Sequence, residues 1–317
     1  MKQPHPEMQK LADAFDLLLK ASGLTEFRQD DPNLTRNALK DTVMPADLLP
    51  PIHRVDSREI PGPNGQIPIR IYYPSDETNL PVLIWFHGGG WVLGSLDSGE
   101  ANCRTLAKAV GCVVVAPDYR LAPETRFPGA IDDCFATTEW VANNGAELGV
   151  DTTRIAVAGD SAGGNLAACV AYLARENSLK LVHQLLVYPV IDADFDRPSY
   201  LENAEGYLLT RSDMQWFWDC YVPNLTDRQD VRVAPIYADD LSGLPPAHIM
   251  TAELDPLRDE GEAYGEALRG AGVPVTIHRY EGMIHAFFNY VSNPPVDAVV
   301  TATNRAVADL RQAFELE

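Results

Sequence analysis

The sequence predicts an α/β fold with a mostly parallel central sheet flanked by helices, and three observations point to it. Short apolar runs alternate with longer helical stretches between residues 81 and 192, the rhythm of parallel strands joined by crossover helices. Two glycine-rich turns, His87-Gly88-Gly89-Gly90-Trp91 and Gly159-Asp160-Ser161-Ala162-Gly163, each follow directly on an apolar run. After an interruption the same rhythm resumes near residues 247 and 275.

Residues 1–50 read as an N-terminal helical cap. Met8, Leu11, Ala12, Phe15, Leu18 and Leu19 recur at helical spacing, and Gly23 is a natural stop. A second short helix is expected over 34–43, before Pro45, Pro50 and Pro51. A hairpin follows, with strands over 53–60 and 67–73 and Gly62-Pro63-Asn64-Gly65 as its turn. Strands over 82–86, 112–116, 154–158 and 181–188 complete the first part of the core, residues 51–192. Residues 193–240 break the alternation as a second cap segment. Ser212-Asp213-Met214-Gln215 reads there as a capping box. The helix it opens carries Met214, Phe217, Trp218 and Tyr221 on one face, a stripe that suits either core or the wall of an apolar pocket. The core finishes in residues 241–317, with strands over 247–251 and 275–280 and a closing helix over 296–314.

The Gly-x-Ser-x-Gly pentapeptide has a steric logic. A serine at the tip of a strand-to-helix turn sits in strained backbone, and Gly159 and Gly163 remove side chains that would collide there. Residues 162–175 read as a helix rich in small residues, whose N-terminus favours negative charge beside Ser161. The triple-glycine run can offer free backbone N–H groups, those of Gly88 and Gly89 meeting that of Ala162. The two motifs, in this order and each after a strand, point to acyl transfer.

A serine nucleophile needs a base, and the base an orienting acid. Of the seven histidines, His5 and His53 precede the core, and His87 belongs to the glycine loop, where it holds that loop's shape. His183, His248 and His278 fall inside strands and read as core. His285 follows the 275–280 strand in a loop, where an α/β sheet places its chemistry. For the acid, Asp255 stands at the end of the 247–251 strand, before Pro256 and a helix that it could also cap. Asp259 reads as a first-turn helix carboxylate facing the dipole or solvent, and Glu253, before the turn, is the weakest candidate.

The chain resembles bacterial esterases of the hormone-sensitive lipase family, within the α/β-hydrolase superfamily. The resemblance is carried by His87-Gly-Gly-Gly-Trp91, Asp118-Tyr-Arg-Leu-Ala-Pro-Glu124, Gly159-Asp-Ser-Ala-Gly-Gly-Asn165, Tyr188-Pro189, Asp255-Pro-Leu-Arg-Asp259 and His285-Ala-Phe287, from about residue 50 onward. It implies an α/β-hydrolase fold and a carboxylesterase acting on short- to medium-chain acyl esters. Ser161 is then the nucleophile, His285 the base and acid, Asp255 its partner, and Gly88, Gly89 and Ala162 the oxyanion donors. The N-terminal helices and the 193–240 insertion form a lid, and a homodimer is implied. Trp91, Tyr188, Phe217, Trp218 and Ile284 are the candidates for lining the substrate pocket. An amidase or arylformamidase would use the same constellation. A non-catalytic receptor of this fold would lack the histidine.

Composition is consistent with this. The 317 residues can bury a large core. A formal net charge of −20 disfavours nucleic acid and anionic membrane surfaces as partners. No apolar run suits a membrane span, and no leader is evident. Cys103, Cys112, Cys134, Cys169 and Cys220 lack metal spacing and read as thiols in a reducing cytoplasm. The expected chemistry needs neither metal nor organic cofactor.

Overall fold

The 83–86 segment, Leu-Ile-Trp-Phe, is apolar on both sides and therefore makes a strand covered on both faces. It belongs to β3, Leu80–Phe86, in an eight-stranded sheet. The others are β1 (Arg54–Gly62), β2 (Gly65–Tyr73), β4 (Val113–Pro117), β5 (Val150–Asp160), β6 (His183–Val187), β7 (Ala247–Leu254) and β8 (Val275–Ile284). Their order is β1-β2-β4-β3-β5-β6-β7-β8. The pairs β1–β2 and β2–β4 are antiparallel and the rest parallel. The computed structural model describes residues 2–292 and 294–316.

The helices are α1 (Pro6–Ala21), α2 (Pro32–Leu39), α3 (Glu100–Leu106), α4 (Gly129–Asn143), α5 (Gly145–Leu148), α6 (Ala162–Glu176), α7 (Pro198–Glu202), α8 (Arg211–Tyr221), α9 (Arg258–Gly270) and α10 (Asp297–Ala313). Alternation along β3 divides the core in two. Val82, Ile84 and Phe86 face a cluster containing residues of α4, α6 and α9. Leu83 and Trp85 face a cluster containing residues of α3 and α10. The fold is thus a three-layer sandwich. Among the described residues, no helix is long and apolar enough to cross a membrane.

Most expected elements are present, with shifted ends. The hairpin turns at Gly62–Gly65, where Gly65 takes φ +134°. Gly23 follows α1 at φ +77°. The helix expected over 34–43 begins earlier, because Asp31 accepts from the Asn33 N–H and Pro32 takes the first turn; after Leu39 it tightens to a 3₁₀ turn, Lys40–Thr42. The capping box is not Ser212–Gln215 but Thr210–Asp213. Thr210 is the extended residue before α8, its Oγ1 accepts from the Asp213 N–H, and Asp213 accepts from the Thr210 N–H, both at 3.0 Å. The 181–188 strand is shorter, His183–Val187, since Tyr188 leaves it at φ +35°. Cys103, Cys112, Cys134 and Cys169 are buried thiols and Cys220 is half-buried.

Among the described residues, those of the first 50 and of the 193–240 stretch add no strand to the sheet. Arg36 of α2 fastens the former to the core: its guanidinium donates to the carbonyls of Val92 and Ala122, each at 2.8 Å, and pairs with Glu124.

His183, His248 and His278 sit on adjacent strands, His248 and His278 sharing a 2.9 Å hydrogen bond between ring nitrogens. Burial pushes His183 down to about 4, so it stays neutral in the folded protein. Unfolded, it takes up a proton near the ordinary imidazole value of about 6.5. Between those values the unfolded chain binds more protons, so stability falls as pH drops. Urea midpoints are expected to decline from about pH 6.5 toward 4, and His183→Leu, which cannot charge, reduces that decline. Identical slopes in both proteins would count against it.

Candidate active site

Ser161 is the hinge between β5 and α6, at φ +57°, ψ −120°. Such a backbone costs about 1–3 kcal/mol and persists only where its surroundings impose it. Here they do. The Ser161 N–H donates to the Val187 carbonyl at 2.9 Å, and its own carbonyl accepts from the N–H groups of Asn165 and Val190. A Cβ on Gly163 would lie within contact of the Phe86 carbonyl, and one on Gly159 within contact of the Gly163 carbonyl. Only glycine allows α6 this close to the ends of β3 and β5.

The adjacent ends of β7 and β8 bring Asp255 and His285 together, Leu254 pairing with Ile284. Ser161 Oγ lies 2.9 Å from His285 Nε2, and His285 Nδ1 lies 2.8 Å from Asp255 Oδ2. A carboxylate only accepts, so Nδ1 carries the proton and Nε2 is free to accept from the serine hydroxyl. Asp255 Oδ1 accepts from the Leu257 N–H at 2.9 Å, so the residue caps the following turn and orients the imidazole at once. Asp255 is fully buried, and Ser161 and His285 are each 7% exposed.

The competitors are occupied elsewhere. Asp259 is, as expected, a first-turn carboxylate of α9 and partly exposed: it accepts from the Ser199 N–H at 2.8 Å, fastening α7, and pairs with Arg258. Glu253 pairs with Lys2 and accepts from the Gly282 N–H.

His87 holds the glycine loop. Its Nδ1 donates to the Gly88 carbonyl at 2.7 Å, and its ring stacks on Tyr119 at 4.3 Å. Burial pushes it down to about 4, which keeps it neutral. One expected oxyanion donor needs correction. The Gly88 N–H is committed to Asp160 Oδ1 at 3.0 Å and is not free. Among the described residues, no acceptor takes the N–H groups of Gly89, Gly90 or Ala162. Gly89 and Gly90 take φ +115° and +60°. Sequence reasoning missed Gly90 and Asp160. The third glycine of the run was a signal for Gly90; no local signal existed for the contact of Asp160 with Gly88.

The pocket candidates divide. The Tyr188 ring lies 4.7 Å from the imidazole of His285. Phe217 covers Gly90, whose Cβ would fall within its ring. Trp91 and Trp218 are fully buried and packed edge to face, with Tyr221 stacked on Trp91 at 4.7 Å. Ile284 is buried at the end of β8, beside His285.

A family model described as the alpha/beta hydrolase fold matches residues 83–289. Carboxylesterase NlhH of Mycobacterium tuberculosis is 43% identical over 318 residues, covering 98% of this chain and 96% of that protein. An arylesterase of Saccharolobus solfataricus is 40% identical over 252 residues, 79% of this chain and 81% of its own. Among solved structures, a thermostable esterase from Pseudomonas putida superposes with TM-score 0.91 at 39% identity, covering 100% of this chain and 99% of the other. A hyperthermophilic esterase from the archaeon Pyrobaculum calidifontis does so with TM-score 0.89 at 39% identity, over 98% and 99%.

Gly90→Ala puts a methyl group against the Phe217 ring at a positive φ. It is expected to lower kcat/KM by about 10²-fold through displacement of the loop. Adding Phe217→Ala makes room and recovers part of the loss. Steady-state kinetics on the three proteins decides; wild-type rates in Gly90→Ala would remove that glycine from the site.

Proposed function

The chain belongs to the α/β hydrolase family, in the hormone-sensitive lipase branch that its motifs resemble, and we propose that it is a carboxylesterase cleaving short- to medium-chain acyl esters through an acyl-enzyme on Ser161. The observation that carries this is the unbroken line of hydrogen bonds from Ser161 Oγ through both nitrogens of His285 to buried Asp255.

His285 Nε2 takes the proton as Oγ attacks the ester carbonyl. The new C–O bond pushes an electron pair onto the carbonyl oxygen. The unengaged N–H groups of Gly89, Gly90 and Ala162 receive that charge, each such donor being worth about 3–4 kcal/mol. Gly88 supports them by anchoring the loop to Asp160. The imidazolium, stabilised by Asp255, gives its proton to the departing alcohol as the ester C–O bond breaks. Water then attacks the acyl-enzyme, His285 again taking the proton and returning it to Ser161 Oγ as the acyl–Oγ bond breaks and the acid leaves.

Residues 1–50 and 193–240 act in this reading as a two-part cap over the core segments 51–192 and 241–317. Tyr188 and Phe217, in contact with His285 and Gly90, line the acyl site, with Ile284, Trp91 and Trp218 behind them. The net charge of −20 supports a small-molecule ester as substrate rather than nucleic acid. Free thiols at all five cysteines support a reducing, cytoplasmic setting. A second copy of the chain is the macromolecular partner the reading includes; sedimentation tests it.

Ser161→Ala is expected to cut ester turnover at least about 10⁴-fold while the melting temperature stays near wild type. Labelling of Ser161 by a serine-directed phosphonate, and a nitrophenyl ester series peaking at short to medium acyl chains, complete the test. Undiminished turnover in Ser161→Ala would overturn the assignment.

A further inference from the structure

We propose that Asp160 is a positioning residue for the reaction, its carboxylate tying the glycine loop to the segment that carries His285; the proposal rests on the ester-hydrolase reading above. Three chain segments must meet at the reacting carbonyl: the loop after β3, the turn after β5 and the loop after β8. Sheet pairing fixes the first two, since β3 and β5 are neighbours. It does not fix the third, because β6 and β7 stand between β5 and β8. Asp160 spans that gap. As the last residue of β5 it is bonded to Ser161. Its Oδ1 accepts from the Gly88 N–H at 3.0 Å, and its Oδ2 accepts from Asn289 Nδ2 at 3.0 Å. Asn289 ends the short 3₁₀ turn that follows His285, and its own oxygen accepts from Asn102 of α3.

The arrangement requires an acceptor at both oxygens, which is what a carboxylate offers. It also requires glycine opposite, since a Cβ on Gly88 would lie 2.5 Å from Asp160 Oδ2. Asp160 is 5% exposed, and among the described residues no lysine or arginine pairs with it. Burial pushes its carboxyl up, while the bond from Asn289, the nearby His285 and the Gly88 N–H pull it down. In the proposed reaction that imidazole becomes cationic in each half of the cycle. The titratable groups facing Asp160 are His285, Tyr119 from the segment after β4, Tyr188 after β6 and Cys103 of α3. Burial pushes both phenols and the thiol up, so they stay neutral and His285 is the partner that changes charge.

The exposed end of the link permits a test that spares the core. Asn289→Ala cuts one arm and is expected to lower kcat about tenfold, with KM within about twofold, because alignment and not binding is lost. Asn289→Asp sets a second carboxyl against Asp160. One shared proton keeps the link at low pH; as pH rises both ionise and repel. That variant therefore gains an alkaline fall in kcat where wild type is level. Asp160→Ala loses about 10²-fold. Asp160→Asn recovers only the part that the link supplies, since Asn289 and Asn102 can turn their amides to match but the charge beside His285 is gone. Asn289 variants that keep wild-type kcat at every pH, or lose only in KM, would overturn the proposal even if Asp160→Ala fails to fold. Phosphonate labelling of wild-type Ser161 is measured alongside. No labelling would mean the ester-hydrolase reading has failed, whereas labelling with unaffected Asn289 variants would sink the positioning role alone.

Discussion

The site depends on how closely α6 approaches the ends of β3 and β5. Gly163 passes so near the Phe86 carbonyl that no side chain fits between them, and Ser161 is held in the left-handed region by what surrounds it. The contact has two consequences at once. It aims Oγ out of the sheet toward His285, and it points the N-terminus of α6, with the unengaged Ala162 N–H, at the same spot. In the proposed mechanism, nucleophile and part of the charge-stabilising cradle thus come from one steric constraint. The strain is repaid by the hydrogen bonds that Val187, Val190 and Asn165 make with the Ser161 backbone.

Some buried carboxylates away from the site are neutralised by a guanidinium. Asp133 is paired with Arg120 at 2.7 Å, and Asp192 with Arg197. Asp160 and Asp255 have no arginine or lysine partner among the described residues. They are satisfied by backbone N–H groups, an amide and an imidazole. A fixed guanidinium would cancel their field whether or not the reaction was under way. Neutral donors satisfy the lone pairs and leave the negative charge to act on His285 when it protonates. The same low-dielectric setting keeps His87 neutral, so the glycine loop carries no competing cation.

What the sequence made legible follows from the range of each interaction. The strands, the nucleophile turn and the loop positions of Asp255 and His285 rest on local pattern: apolar runs, glycines at steric pinch points, a proline after a strand end. The choice of Thr210 over Ser212 as helix cap turned on two residues of register that propensity does not resolve. The role of Gly88 was misjudged for another reason. Its N–H is taken by a carboxylate 72 residues away, a fact that spacing within the glycine run cannot contain. The fastening of Asp259 to Ser199 across 60 residues is of the same kind. Chemistry set by the chain's local geometry could be read; chemistry set by which loop ends meet could not.

The glycine loop is gripped from two further sides. Phe217 of α8 lies on Gly90, and Arg36 of α2 donates to the Val92 carbonyl a few residues on. Both grips come from segments that add no strand to the sheet, one from each proposed half of the cap. In the proposed mechanism, residues that shape the space for the acyl group therefore press on the same loop that offers Gly89 and Gly90 to the developing charge. Because a displacement of about 1 Å in such donors is felt strongly in the rate, a change in this cap cannot be a change in substrate fit alone. A side chain that enlarges the acyl site by withdrawing from Gly90 also loosens the loop, so selectivity and turnover are coupled through one aromatic contact.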